Sequence, residues 1–190
     1  MPLRISFNLG DADLQHFEQV AQQTQASARE RSSQDVIATA REVLEGAERA
    51  QLADFVKERF TRLRSILSMA TDPEWPLVAE DSQRIINALA CFGGAPPAAG
   101  AANVSFLDHA IMIELVSRDL EHDLAAYRDF CKFRDSLAGQ NRGGADSNAH
   151  REERLQQRRR ILQERMHTRR KRTLDAAGSS VRKLFSLFGL

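Results

Sequence analysis

The chain has little of what sheets, disulfide frameworks and membrane spans require. Its 190 residues include one Trp and one Tyr. Strands favour aromatic and β-branched side chains, so abundant Ala and Gln shift the expectation to helices. Only two cysteines occur, Cys91 and Cys131, and no CxxC pair. That argues against a zinc knuckle or thioredoxin-like site and leaves reduced, buried thiols in a cytoplasmic protein. The densest apolar patch, "AIMIELV", is about a third of the ~20 residues that a membrane span needs. The opening "MPLRISFNLG" lacks the apolar core of a secretory signal. There is no Gly-x-Ser-x-Gly elbow, and "GGAPPAAG" has neither the Lys nor the glycine spacing of a phosphate or dinucleotide loop. The expectation is a non-enzymatic chain without a cofactor.

What is present is ordinary in amount and uneven in placement. Apolar residues make up 42% and charged residues 28%, as in a soluble globular chain. The net charge of +1 hides a division. Residues 1–150 carry 15 basic and 22 acidic residues, and residues 151–190 carry 12 and 4, so a −7 body precedes a +8 tail. Such a tail either folds back on the body or meets an external polyanion.

Hydrophobic spacing predicts an all-α bundle of about five helices with a short extended N-terminal arm and a basic, helical C-terminal tail. In the arm, Ile5, Phe7 and Leu9 alternate with polar residues. Leu14, Phe17, Val20 and Ala21 start the first helix. Ser32 and Asp35 fit an acidic capping box before the stripe Val36, Ala40, Val43, Leu44 and Ala47. Leu52, Val56, Phe60, Leu63, Ile66 and Leu67 mark a third helix. "TDPEWP" reads as a stop and restart, with Thr71 or Asp72 as cap and Pro73 in the next first turn. Ile85, Ile86, Leu89 and Phe92 follow. The breaker-rich stretch 93–103 is a loop. Ser105 then caps a long spine helix reaching about Leu137. The domain expectation is 1–137 helical domain, 138–150 flexible Gly/Ser/Asn linker and 151–190 tail.

The segments "INALACF" and "FLDHAIMIELV" resemble the bacterial YkvA-like family, a domain of unknown function. Ala88, Leu89, Ala90 and Phe92 match an "ALAYF"-like helix end. Phe106, Leu107, Asp108, Ala110, Ile111, Ile113 and Leu115 match the family's "G-F-L-D-D-A-I-x-I-x-L-V". "ISFNLGDADLQHF" and "FVKERFTRLRSIL" extend the likeness over roughly residues 4–135. The family's acidic D-L-I-P-D turn is replaced by "GGAPPAAGAAN", and the second Asp of its Asp-Asp pair is His109. The resemblance implies a helical fold and brings no established catalytic residues.

Asp108, His109, Glu114, Asp119 and His122 have the residue types of a metal site, and Asp119-x-x-His122 has the spacing of one di-metal half-site. No second such motif supplies co-ligands. Arg118 between the acids instead points to a solvated, salt-bridged face, with Asp108 in a first helical turn, where the dipole favours an acid. Ten of residues 151–172 are Lys or Arg. Arg158, Arg159, Arg160, Arg165, Arg169, Arg170, Lys171 and Arg172 are the candidate polyanion contacts. Leu155, Ile161, Leu162 and Met166 leave them only a thin seam to bury. At the terminus Val181, Leu184, Phe185 and Phe188 form one apolar face suited to a membrane boundary or a protein groove. The functional expectation is an interaction module that associates through this tail with a protein partner or, peripherally, with the anionic inner face of the membrane. Nucleic-acid binding through 151–172 is the alternative, a metal-dependent enzyme is a weaker one, and pairing with another copy of the chain is compatible with the terminal face.

Overall fold

The computed structural model describes residues 10–28, 30–93, 102–140 and 145–176. Among them the chain is all helical, in the order α1 (Asp11–Ala28), α2 (Ser33–Arg49), α3 (Asp54–Thr71), α4 (Ala79–Ala90), α5 (Ala102–Asp119), α6 (Glu121–Gln140) and α7 (Ala145–Ala176). The expected N-terminal arm and the apolar positions 181–188 lie outside these residues.

Helix α3 is the hub and packs on α2, α4, α5 and α6, while α1 leans on α4 and α7 lies along α6. The reason is its stripe. Phe60, Leu63, Ile66, Leu67 and Met69 are all buried, and they recur at the three- and four-residue spacing that keeps one helical face on a core. Ile85, Ala88, Ile113, Val116, Leu120 and Phe130 meet them at 0% exposure. The predicted capping box on α2 is present, with the Ser32 hydroxyl accepting from Asp35 N at 3.1 Å and Ser32 N donating to the Asp35 carboxylate at 3.2 Å.

Four local expectations are corrected. Residues 72–78 do not restart a helix at Pro73; α3 runs through Thr71 and α4 begins at Ala79. The cause is Asp72, whose carboxylate accepts from Glu74 N at 2.9 Å, Tyr127 Oη at 2.9 Å and Arg134 Nη1 at 2.6 Å. This holds the turn open, and Trp75 drops into the core against Tyr127 and Phe130, with ring centroids 5.8 and 5.0 Å away. Ser105 is not the start of the next helix, because α5 already begins at Ala102; Ala102, Asn103 and Val104 include no breaker to stop it. The single spine helix is divided at Leu120 into α5 and α6. Finally, helix occupies much of the expected linker, since α6 reaches Gln140 and α7 starts at Ala145. The glycine pair of that stretch falls at 143–144, and Ala145–His150 holds no residue that opposes a helix.

Truncating the hub tests this packing. Leu63→Ala, at 0% exposure, is expected to lower unfolding free energy by about 2–5 kcal/mol in urea titration. Ser32→Ala is expected to cost about 1 kcal/mol.

Candidate functional site

The basic tail helix is docked on the acidic body, and the dock is electrostatic at both ends. Leu155, Leu162 and Met166 form the thin apolar seam and are all buried. At the N-terminal end α7 clasps the 72–76 turn. Arg151 pairs with Glu74 at 3.4 Å, Arg159 donates to the Glu74 carbonyl at 3.0 Å, and Gln163 donates to the Pro76 carbonyl at 3.0 Å. Arg154 and Arg158 lie over the Phe133 ring of α6 at 5.9 and 5.5 Å.

At the C-terminal end lies a chain of buried charges. His167 Nε2 meets Asp81 Oδ2 at 2.8 Å. Arg170 spans Asp81 at 2.8 Å and Asp123 at 2.6 Å. Arg84 spans Asp123 and, at 3.3 Å, Asp119. Asp81, Arg84, Asp119, Asp123 and Arg170 are each no more than 9% exposed. Two guanidiniums thus face three carboxylates contributed by α4, α5 and α6. Arg84 Nη1 also reaches the Asp119 carbonyl at 3.5 Å. A side chain that takes up a helix carbonyl is a recognised cause of a break, and this one sits next to Leu120.

The carboxylates titrate apart. Burial pushes Asp119 up to about 6, against the pull of Arg84, and the negative charge of Asp123 adds to the rise. One Asp119 oxygen has no hydrogen-bond partner, consistent with a group that favours its protonated form. At Asp81 burial also acts upward, but the bonds from His167 and Arg170 outweigh it and hold the carboxyl below its usual range. In the second network burial again acts upward on Asp72, and Arg134 and Tyr127 outweigh it. The Cys91 thiol is pushed up to about 12 by burial, which makes it unreactive. Cys91 and Cys131 are both free.

The metal-type residues are dispersed. Asp119 was expected on a wet face and is buried instead, because Arg84 waits for it across the bundle. Glu114 is taken by Arg62 at 2.6 Å and by Arg59 and Arg118, each at 3.5 Å. His122 bonds Thr173 at 2.7 Å. His109 sits beside Phe92 and Phe106, ring centroids 6.3 and 6.4 Å away. Asp108 is exposed and six residues beyond the start of α5, past the first turn where the dipole acts. Of the other signature positions, Phe106 is buried against Phe60 at 5.7 Å and Leu107 is half-buried. Among the described residues no group of three or more His, Cys, Asp or Glu could hold a metal ion, and no helix is long and apolar enough to cross a membrane.

The eight candidate polyanion contacts divide by face. Arg158, Arg159 and Arg170 point into the dock. Arg160 makes an exposed pair with Glu164 at 3.9 Å. Arg165, Arg169, Lys171 and Arg172 are exposed and have no ion pair among the described residues. Arg165, Arg169 and Arg172 recur at i, i+4, i+7, so they share one edge of the helix. Asp81 and Arg84 were not anticipated. The available signal was their place in the stripe Asp81, Arg84, Ile85, Ala88 and Phe92, where charges stand at core positions.

The chain matches no family model, no curated protein and no solved structure.

Two measurements probe the buried chain of charges. Arg170→Leu leaves Asp81 and Asp123 short of a cation and is expected to cost about 3–5 kcal/mol at pH 7, with faster amide exchange across α7. Asp119 has a raised folded pKa, so the folded state holds its proton more tightly than the unfolded one. Its contribution is full near pH 4 and is lost as pH rises to about 6. Asp119→Asn is therefore expected to remove about 2 kcal/mol of pH dependence across that window. Asp81 acts with the opposite sign, stabilising above the usual carboxylate range and losing that contribution at lower pH, so the two titrations separate in denaturation curves recorded from pH 3 to 8.

Proposed function

We propose that this chain is a non-enzymatic interaction module whose seventh helix presents an arginine edge to an anionic membrane surface, with the terminal residues Val181, Leu184, Phe185 and Phe188 entering the acyl boundary. The observation that carries this reading is the division of α7 into two faces. One is consumed by the bundle, and the other keeps Arg165, Arg169 and Arg172 exposed and, among the described residues, without ion pairs. From Arg165 to Arg172 the edge extends about 10 Å along the axis. Each basic residue near an anionic leaflet contributes about 1 kcal/mol, so three give a weak, reversible attachment that the apolar terminus strengthens. Docking on a rigid bundle holds the arginines in line, which lowers the ordering cost of binding.

A membrane surface fits this edge better than a nucleic acid. Base readers set aromatic side chains beside their cations, and here Phe133 is already covered by Arg154 and Arg158. The affiliation we propose is with YkvA-like helical proteins. It rests on residues 88–92 and 106–115, of which Phe106, Ala110 and Ile113 lie in the core.

Vesicle flotation of the full chain tests the function. Vesicles rich in phosphatidylglycerol should carry it upward at low salt and release it at high salt. Replacing Arg165, Arg169 and Arg172 by Gln should abolish most of the binding, and deleting residues 177–190 should weaken it. Unchanged flotation of both variants would sink the proposal. Salt-steep binding to duplex DNA with no flotation would reassign the edge to nucleic acid.

A further inference from the structure

We propose that the cleft between α3 and α6 binds the phosphate of a small phosphate monoester. The cleft is separate from the α7 edge, and its wall takes residues of α3, of α5 before Leu120 and of α6 after it. Its volume is about 550 Å³, within the roughly 300–1,000 Å³ of small-molecule sites. Its charge is unbalanced, since Arg62, Arg64 and Arg128 line it against one acid, Glu121.

Two of those cations are fixed and one is available. Arg62 bonds Glu114 at 2.6 Å, but Glu114 is shared with Arg59 and Arg118. Arg59 also pairs with Glu58 at 3.2 Å, so three guanidiniums share two carboxylates and leave an excess of one positive charge beside the cleft. Arg64 pairs with Glu48 on its outer side. Arg128 is exposed and has no ion pair among the described residues.

Hydroxyls complete the wall. Thr61, Ser65 and Ser68 occupy i, i+4 and i+7 of α3, facing the cleft. Opposite them stands Ser117. It is 7% exposed, and its hydroxyl has no hydrogen-bond partner. A serine inside a helix ordinarily returns its proton to the carbonyl four residues back, as Ser65 does to Thr61 O at 3.1 Å. A buried hydroxyl without that bond carries a desolvation penalty that a ligand oxygen relieves after one rotamer change. Thr61 and Ser65 already donate to Lys57 O and Thr61 O, so the donors to a ligand are the guanidinium forks and the Ser68 and Ser117 hydroxyls, which suit a tetrahedral dianion that offers many acceptor oxygens at once. Leu124, Cys131 and the Tyr127 ring form the less polar floor, which suits the carbon part of an ester.

Isothermal titration of the full chain with glycerol 3-phosphate and with inorganic phosphate tests the site, alongside flotation on phosphatidic acid vesicles. One saturable site per chain is expected. Arg128→Gln should weaken binding about tenfold. Ser117→Ala should weaken binding too, without lowering the urea midpoint of the ligand-free protein, because its hydroxyl has no bond to lose. Replacing Arg165, Arg169 and Arg172 by Gln should leave the titration unchanged, which separates this site from the α7 edge. Arg128-dependent binding to glycerol 3-phosphate assigns the monoester to a soluble molecule. Arg128-dependent flotation on phosphatidic acid alone assigns it to a lipid headgroup. No saturable binding to any of these probes, or equal binding by Arg128→Gln in all, overturns the proposal.

Discussion

The bundle is closed by two arginines in a place where charges are costly. Taking Arg84 and Arg170 out of water is unfavourable unless carboxylates meet them with good geometry. Asp81, Asp119 and Asp123 do so from three helices. None of these helices can shift without exposing an unpaired charge to a low-dielectric interior. Among the described residues the apolar seam of α7 contributes Leu155, Leu162 and Met166 as buried residues. Register is therefore set less by hydrophobic packing than by Arg170, which fits only where it reaches Asp81 and Asp123 together. A single buried polar contact fixes alignment in the same way when an apolar surface would tolerate sliding.

This arrangement explains the uneven charge of the chain. The acidic body and basic tail are two halves of one interface, joined at the buried carboxylates and at Glu74. The joining is partial. It consumes Arg151, Arg159 and Arg170 and covers Phe133 with Arg154 and Arg158, yet leaves a row of arginines on the outer edge. The division follows from helical geometry, because 3.6 residues per turn cannot place ten basic residues of a 22-residue run on one face.

The all-helical class, the capping box at Ser32 and the stripes of α2, α3 and α4 were legible because they are local and periodic. The break at Leu120 was not. Nothing between Ser117 and Leu124 opposes a helix, and the interruption lies beside Arg84, thirty-six residues earlier in the chain. The turn after α3 was misread for a related reason. Pro73 is a good first-turn residue, and only the distant partners Tyr127 and Arg134 of Asp72 keep it from acting as one. The acids of α5 and α6 looked solvated because their counterions lie on other helices. For the tail, composition gave the charge and the thin seam but not the partner. Arg159 and Arg170, spaced with Leu155, Leu162 and Met166, were the sign that the seam continued through charged residues.

The position of Trp75 has a practical consequence. It is the only tryptophan in the chain, 1% exposed, and it stands in the turn whose Glu74 and Pro76 carbonyls receive hydrogen bonds from α7. Tyr127 is close enough to pass excitation to it. The indole is thus an optical reporter already in place at the seam between body and tail. Its emission, without any added label, distinguishes a chain whose tail is seated from one whose tail has let go.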